Sequence, residues 1–372
     1  MNLSRRELML MPALALKANA APAGRGEARN KQEGMAYRRL GRTNFLISEV
    51  VMGGNTISPA NYDHVLRALD MGLNYLDTAP AYGNLKSELG YAQVLKARPR
   101  DQFFLNSKIS LWDINRNKIH QDLFASLDQT EQKRLKSLAR EEIERRQADA
   151  PEYLGGYFAT QLPELEASAL ANVMEQQYGH KIDRRKNYHD LILQSVDESL
   201  KRLGTGHLDL LMCPHGSSTP HEVAGHPEIL EAFEKVKKAG KARFLGVSAH
   251  NDPAGILEAA IKTKVYSVAM VAYNISNAPW VEPALAAAHK ADFGVIGMKV
   301  ARAVYPGRGP GVDAPAHRVA NLQKAIPGEL KIPQKAYIWA LRNPNLTAVV
   351  SEMITAEHVK ENVALAAAKR PA

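Results

Sequence analysis

From residue 48 onward the chain alternates short solid apolar runs with longer stretches whose apolar positions recur every three or four residues. The solid runs are SEVVMGG (48–54), NYLDT (74–78), FFLNSK (103–108), LDLLMC (208–213), RFLGVS (243–248), YSVAMVAY (266–273), FGVIGMK (293–299) and TAVVS (347–351). They predict strands buried on both faces, because a strand with one wet face would alternate apolar and polar residues. NYDHVLRALDMG, DLILQSVDESLKRLG, HPEILEAFEKVKKAG and PWVEPALAAAHKA predict amphipathic helices between them, several with a glycine close to the C-cap. Eight strands alternating with helices predict an α/β fold, a (β/α)8 TIM barrel. A doubly wound open sheet is the alternative, disfavoured because no GxGxxG follows the first strand.

Residues 111–186 interrupt this rhythm between the third strand and its helix, where a few residues would suffice. TEQKRLKSLAREEIERRQADA is helical in composition, and PEYLGGYFATQLPELEASALANVMEQQYGH reads as a further helical pair around Gly155-Gly156. A loop after a barrel strand emerges at the catalytic mouth. This large helical insertion after the third strand is therefore expected to form a lid or pocket wall, with an oligomer contact or simple decoration as the alternative.

The N-terminus follows a different logic. Ser4-Arg5-Arg6 precedes an apolar stretch from Leu8 to Leu16, and Ala18-Asn19-Ala20 has the small-x-small form of a cleavage site. This resembles a twin-arginine export signal and predicts a periplasmic or exported protein. A disordered basic leader on a cytoplasmic protein is the alternative, and Lys17 at the end of the apolar stretch favours it. Residues 21–34 read as a flexible linker, so 1–34 is assigned to signal and linker and 35–372 to the barrel.

The chain is 45% hydrophobic and 23% charged, as a soluble globular protein is. No apolar run is long enough to span a bilayer, so no stable membrane insertion is expected. The net charge of +9 comes from Lys and Arg mixed with Glu, the look of solvated helix faces, and nucleic-acid binding is not expected. The single cysteine, Cys213, excludes an intramolecular disulfide and reads as a core residue. Composition leaves the oligomeric state open.

Chemistry-bearing groups recur at strand ends. Asp77 ends the apolar run within NYLDT with Tyr82 five positions on, Lys108 closes FFLNSK, His215 follows LDLLMCP and Ser248 closes FLGVS. Singly, each has a dull reading as turn, packing or solvent-facing residue. Jointly, in a barrel, they converge on one rim. Together with YRRLGRTNFLISEVVMGG, GLNYLDTAPAYGNLKSELG, ESLKRLGTGHLDLLMCPH, GKARFLGVS, AYNISN and the terminal EHVKEN, they resemble the aldo-keto reductase family over most of 37–365.

That resemblance implies the same barrel, a hairpin over Tyr37–Ile47 closing its floor, and NAD(P)H-dependent interconversion of a small-molecule carbonyl and alcohol. Tyr82 is then the acid/base. Lys108 favours the phenolate and lowers its pKa, Asp77 holds Lys108 charged, and His215 meets the substrate oxygen. Ser248, Met298, Lys299, Glu352, His358 and Asn362 fall on cofactor-binding positions. Ala249 and Met270 stand where the family usually carries an Asn and a Gln, which leaves open a non-catalytic, cofactor-binding regulatory protein on the same barrel. By the same resemblance, Glu352 falls where many family members carry a basic or Gly residue near the 2′-phosphate. A carboxylate there repels a 2′-phosphate and accepts from a free ribose hydroxyl, so NADH is slightly favoured over NADPH.

Overall fold

A computed structural model describes residues 26–110, 112–305 and 314–367. The eight apolar runs form the eight strands of a closed barrel: β4 (Val50–Met52), β5 (Tyr75–Asp77), β6 (Phe104–Lys108), β7 (Leu208–Ser217), β8 (Ala242–Ala249), β9 (Val268–Ala272), β10 (Gly294–Met298) and β11 (Ala348–Ser351). They pair in sequence order, β11 closing against β4, and every barrel pairing is parallel. The apolar runs are continuous because one set of side chains fills the barrel while the other packs beneath the helices. Tyr75, Phe104, Met212 and Ile296 belong to the inner set, Leu76, Leu105, Leu211 and Val295 to the outer. Cys213 is fully buried in that outer layer. Among the described residues no helix is long and apolar enough to cross a membrane.

A hairpin closes the floor, with β2 (Tyr37–Arg39) antiparallel to β3 (Phe45–Ser48). Leu40, Phe45 and Ile47 plug the barrel from below, and the Phe45 ring stacks on Phe104 at 4.2 Å. The expected flexible linker is corrected here. From Gly26 onward it is ordered: β1 (Glu27–Ala28) adds to β3 in parallel, and Asn30 Nδ2 donates to the Leu69 and Leu73 carbonyls. Arg29 reaches the Phe103 carbonyl at 2.7 Å and the Asp209 carboxylate at 3.0 Å. Charge and glycine suggested solvation, but a carboxylate buried under the barrel requires cations, and this segment supplies one. The twin-arginine motif and its cleavage triplet lie outside the described residues.

Between β6 and the helix Leu191–Leu203 the insertion folds around its own apolar cluster. Its helix Gln129–Arg146 is highly polar and buries only Leu135, Ala139 and Ile143, a stripe of four-residue spacing, after Asp128 caps it by accepting from the Glu131 amide. The Gly155-Gly156 pair does not separate two long helices. It begins the short helix Gly155–Phe158, ahead of the long helix Leu162–Tyr178. Gly156 is pressed so close to Ser276 Oγ and the Pro151 carbonyl that a Cβ would collide with both. The insertion's cluster continues into Ala272 and Ala303 of the barrel. Polar clasps reinforce it: Glu152 pairs with Arg318 at 2.7 Å, and Arg146 and Tyr153 reach the buried Asp252, which caps the helix Pro253–Thr263.

Asp209 is the buried acid at the floor, with Arg29, Arg100 and Arg243 each within 3.0 Å of its carboxylate. Burial alone would raise its pKa, but Arg100 and Arg29 outweigh burial and hold it below the ordinary carboxylate value. A lowered folded-state pKa contributes stability above the unfolded value, about 4, and that stability is lost as pH falls through the folded value. Asp209→Asn is expected to cost about 2–3 kcal/mol at pH 7, with the deficit vanishing in strong acid. Urea unfolding across pH checks this, and a pH-independent deficit would refute the ionic role.

Candidate active site

Four of the predicted groups gather where β5, β6 and β7 end. The parallel register sets Asp77 beside Asn106 and Lys108 beside Met212, while His215 lies beside Ser248 on β8. Lys108, completely buried, donates to the Asp77 carboxylate and, at 3.0 Å, to the Thr78 carbonyl. Asn106 Nδ2 donates to the same Asp77 oxygen at 2.6 Å. Above this pair lies Tyr82, half-buried, with Lys108 Nζ 4.5 Å from its ring centroid. The His215 ring meets the Tyr82 ring edge-on at 5.8 Å. On its other side His215 Nδ1 contacts Ser110 Oγ at 2.8 Å.

Electrostatics assign these groups their states. Burial raises the Asp77 carboxyl and lowers the Lys108 ammonium, and each charge opposes that trend in its partner. Burial lowers His215 to about 3, helped by the charges of Lys108 and Lys299, so the imidazole is neutral. Tyr82 corrects the expectation. Burial, then the negative charges of Asp77 and Glu352, push its hydroxyl well above the ordinary phenol value. Burial and the Asp77 charge outweigh the expected lowering by Lys108, and the phenol is held protonated.

Of the remaining candidates, Ser248 and Met298 are buried at the ends of β8 and β10. Lys299 follows with a left-handed backbone, φ 56°. Burial lowers its pKa, as does the nearby Arg302, while Glu352 opposes them. Glu352 is exposed just past β11, its nearest hydrogen-bond partner being Asn55 at 3.5 Å. His358 lies in the first turn of the helix Ala356–Val363, its amide capped by Thr355. Asn362 has a structural task, donating to Ser351 Oγ at 3.0 Å and tying that helix to β11.

Several residues escaped the sequence reading. Asn251 is buried, donates to Ser218 Oγ at 2.6 Å, and leaves its Oδ1 without a hydrogen-bond partner at the mouth end of β8. From the insertion, Phe158 stacks under Arg302 at 4.1 Å and under Lys299 at 4.8 Å, and tilts against His250 at 5.3 Å. Tyr157 donates to the His250 carbonyl. Ser110, two positions past Lys108, was the one with a usable signal; the others meet only through tertiary packing.

Removing the Asp77 charge isolates the buried ammonium. Asp77→Asn is expected to cost about 3–5 kcal/mol at pH 7. In that variant Lys108 has a folded pKa well below its unfolded value, so stability recovers as pH rises toward about 10 and the lysine becomes neutral in both states. Chemical denaturation at pH 7 and near pH 10 measures this, and an unchanged deficit would contradict it.

The family model for the aldo/keto reductase family matches residues 50–147 and 174–303, more than half the chain and broken only within the insertion. A holo-form aldo-keto reductase from Bacillus halodurans superposes with a TM-score of 0.59 at 19% identity, over 91% of this chain and 93% of that one. One from Pseudomonas aeruginosa gives 0.54 at 18%, over 89% and 94%. One from Klebsiella pneumoniae in complex with NADPH gives 0.52 at 17%, over 89% of each. At such identities the likeness speaks to the fold.

Proposed function

As the chain belongs to the aldo/keto reductase family, we propose that it is a nicotinamide-dependent oxidoreductase interconverting a carbonyl and an alcohol. The observation that carries this reading is the protonated Tyr82 set over the buried Asp77–Lys108 pair, with neutral His215 at its edge. A carbonyl oxygen gaining negative charge needs a proton, and Tyr82 holds one at Oη. Lys108, 4.5 Å from the phenol ring centroid, stabilises the phenolate left behind. Asp77 and the Thr78 carbonyl keep that ammonium charged and fixed. Ser110 engages His215 Nδ1, which leaves Nε2 for the substrate oxygen.

The residues at the rim fit a nicotinamide dinucleotide. Asn251 offers a buried acceptor without a partner, suited to a carboxamide N–H, beside the buried Ser248 hydroxyl. Met298 offers a polarizable face to a ring, and Lys299 and Arg302 offer cations to a pyrophosphate. When bound, the cofactor supplies the hydride. Phe158 and Tyr157 support the insertion as a wall of the substrate site, since both contact rim residues.

A regulatory, cofactor-binding role is favoured by one observation: the buried Ala249 and Met270 offer a carboxamide no amide partner. Tyr82→Phe separates the two readings. For an enzyme, turnover across a carbonyl panel falls by at least roughly 100-fold while cofactor affinity holds. Cofactor binding by the unmodified protein without turnover on any carbonyl supports the regulator.

Between the two dinucleotides we propose a slight preference for NADH. The exposed Glu352 supports it, because a carboxylate opposes a 2′-phosphate; its attraction to Lys299 and Arg302 keeps the preference small. Glu352→Lys is expected to tighten NADPH about tenfold, or about 1.4 kcal/mol, with NADH little changed. Dissociation constants for both cofactors check this, and a clear NADPH preference in the unmodified protein rejects it.

A further inference from the structure

Away from Tyr82, where the insertion's helix Leu162–Tyr178 meets the turn after β7, Glu175, His221 and His226 converge, with one donor atom from each lying within 4.8 Å of the others. His221 Nε2 and His226 Nε2 both lie 3.3 Å from Glu175 Oε2. Around a tetrahedral ion with ligands about 2.0–2.2 Å away, neighbouring donors sit roughly 3.3–3.6 Å apart, so both separations match. As a hydrogen bond 3.3 Å is long, and the buried His226 Nε2 has no hydrogen-bond partner. We propose that these three side chains form a site for a borderline divalent transition metal of the zinc type, with water in the fourth position.

The surroundings hold the ligands in place. The His226 ring packs on Trp112 at 4.4 Å and on the edge of Tyr188 at 5.3 Å. Arg116 Nε lies 3.1 Å from Glu175 Oε2, and Arg184 bonds Oε1. Each guanidinium keeps a carboxylate of its own, Arg116 to Glu222 at 2.9 Å and Arg184 to Glu228 at 2.6 Å. Neither guanidinium is therefore committed to Glu175 alone. The arginines orient Glu175 as outer partners orient metal ligands. His226 Nδ1 is 3.4 Å from Arg184 Nη2, too far for a bond that fixes its tautomer.

An ion has a route in. A cleft of about 480 Å³, lined by Glu142, Arg145, Gln176 and His221 among others, opens beside the cluster, and the His221 side chain is 30% exposed to it. Bound there, the metal clasps the insertion to the segment that follows the His215 strand. It takes no part in the redox centre.

The test uses the untagged full chain, stripped with chelator and titrated with Co²⁺, whose visible bands report tetrahedral coordination, then with Zn²⁺ in competition. One saturable equivalent is expected, along with a Tm that rises on Zn²⁺ addition. His221→Ala, at the exposed ligand where folding is least at risk, is expected to weaken binding by roughly 10-fold or more and abolish the Tm rise. Glu175→Gln, its fold checked by circular dichroism, is expected to do the same. Absence of a saturable Co²⁺ spectrum in the parent protein, or one unaffected by His221→Ala, would overturn the assignment.

Discussion

A closed parallel barrel must send every strand out of the same end. Backbone hydrogen bonding leaves no freedom in this, because each strand satisfies its amides and carbonyls only when both neighbours run beside it in register. Asp77, Lys108 and His215 are far apart in sequence, yet the register of β5, β6 and β7 delivers them to one rim. Closure also yields a dry interior immediately below the rim, filled by residues such as Phe104 and Met212 and sealed by Leu40, Phe45 and Ile47. The low dielectric there governs the chemistry of the groups above: it discourages charge on His215, keeps the Tyr82 proton in place, and makes Lys108 depend on Asp77.

Asp209 and Asp77, both buried, answer this constraint in opposite ways. Asp209 at the floor has three arginines and stays below the ordinary carboxylate range, while Asp77 at the rim has one lysine and is raised by burial. The difference is one of supply. Exposed chain outside the barrel can curl back with extra cations, as the segment around Arg29 does, but Asp77, enclosed at the strand ends, pairs with one ammonium, that of Lys108. Fully compensated charge suits a structural seal. Marginally compensated charge is responsive to whatever binds above it.

Much of the fold was legible in the sequence because strands buried on both faces leave solid apolar runs, and all eight runs became barrel strands. The strand-end residues were legible for the same reason, since topology alone sends them to the rim. What the sequence hid depended on partners distant along the chain. The order of residues 26–34 follows from the demand of Asp209, far away in sequence, and the role of Gly156 follows from Ser276. The Tyr82 ionisation was misjudged because one charge, Lys108, was weighed without the second charge and the burial that oppose it. Asn251 carried no pattern at all; its orphaned oxygen exists only once β8 and Ser218 are neighbours.

The joint between insertion and barrel changes what the insertion can be. Asp252, buried at 3% exposure, caps the helix Pro253–Thr263, and the groups that satisfy it, Arg146 and Tyr153, come from the insertion. The apolar contacts of Ala272 and Ala303 come from there as well. A trimmed relative could therefore not be made by excising the extra segment. Excision would strip Asp252 of Arg146 and Tyr153, leaving it the Gly255 amide, and would bare hydrocarbon beside the mouth, so segment and rim form one unit of packing.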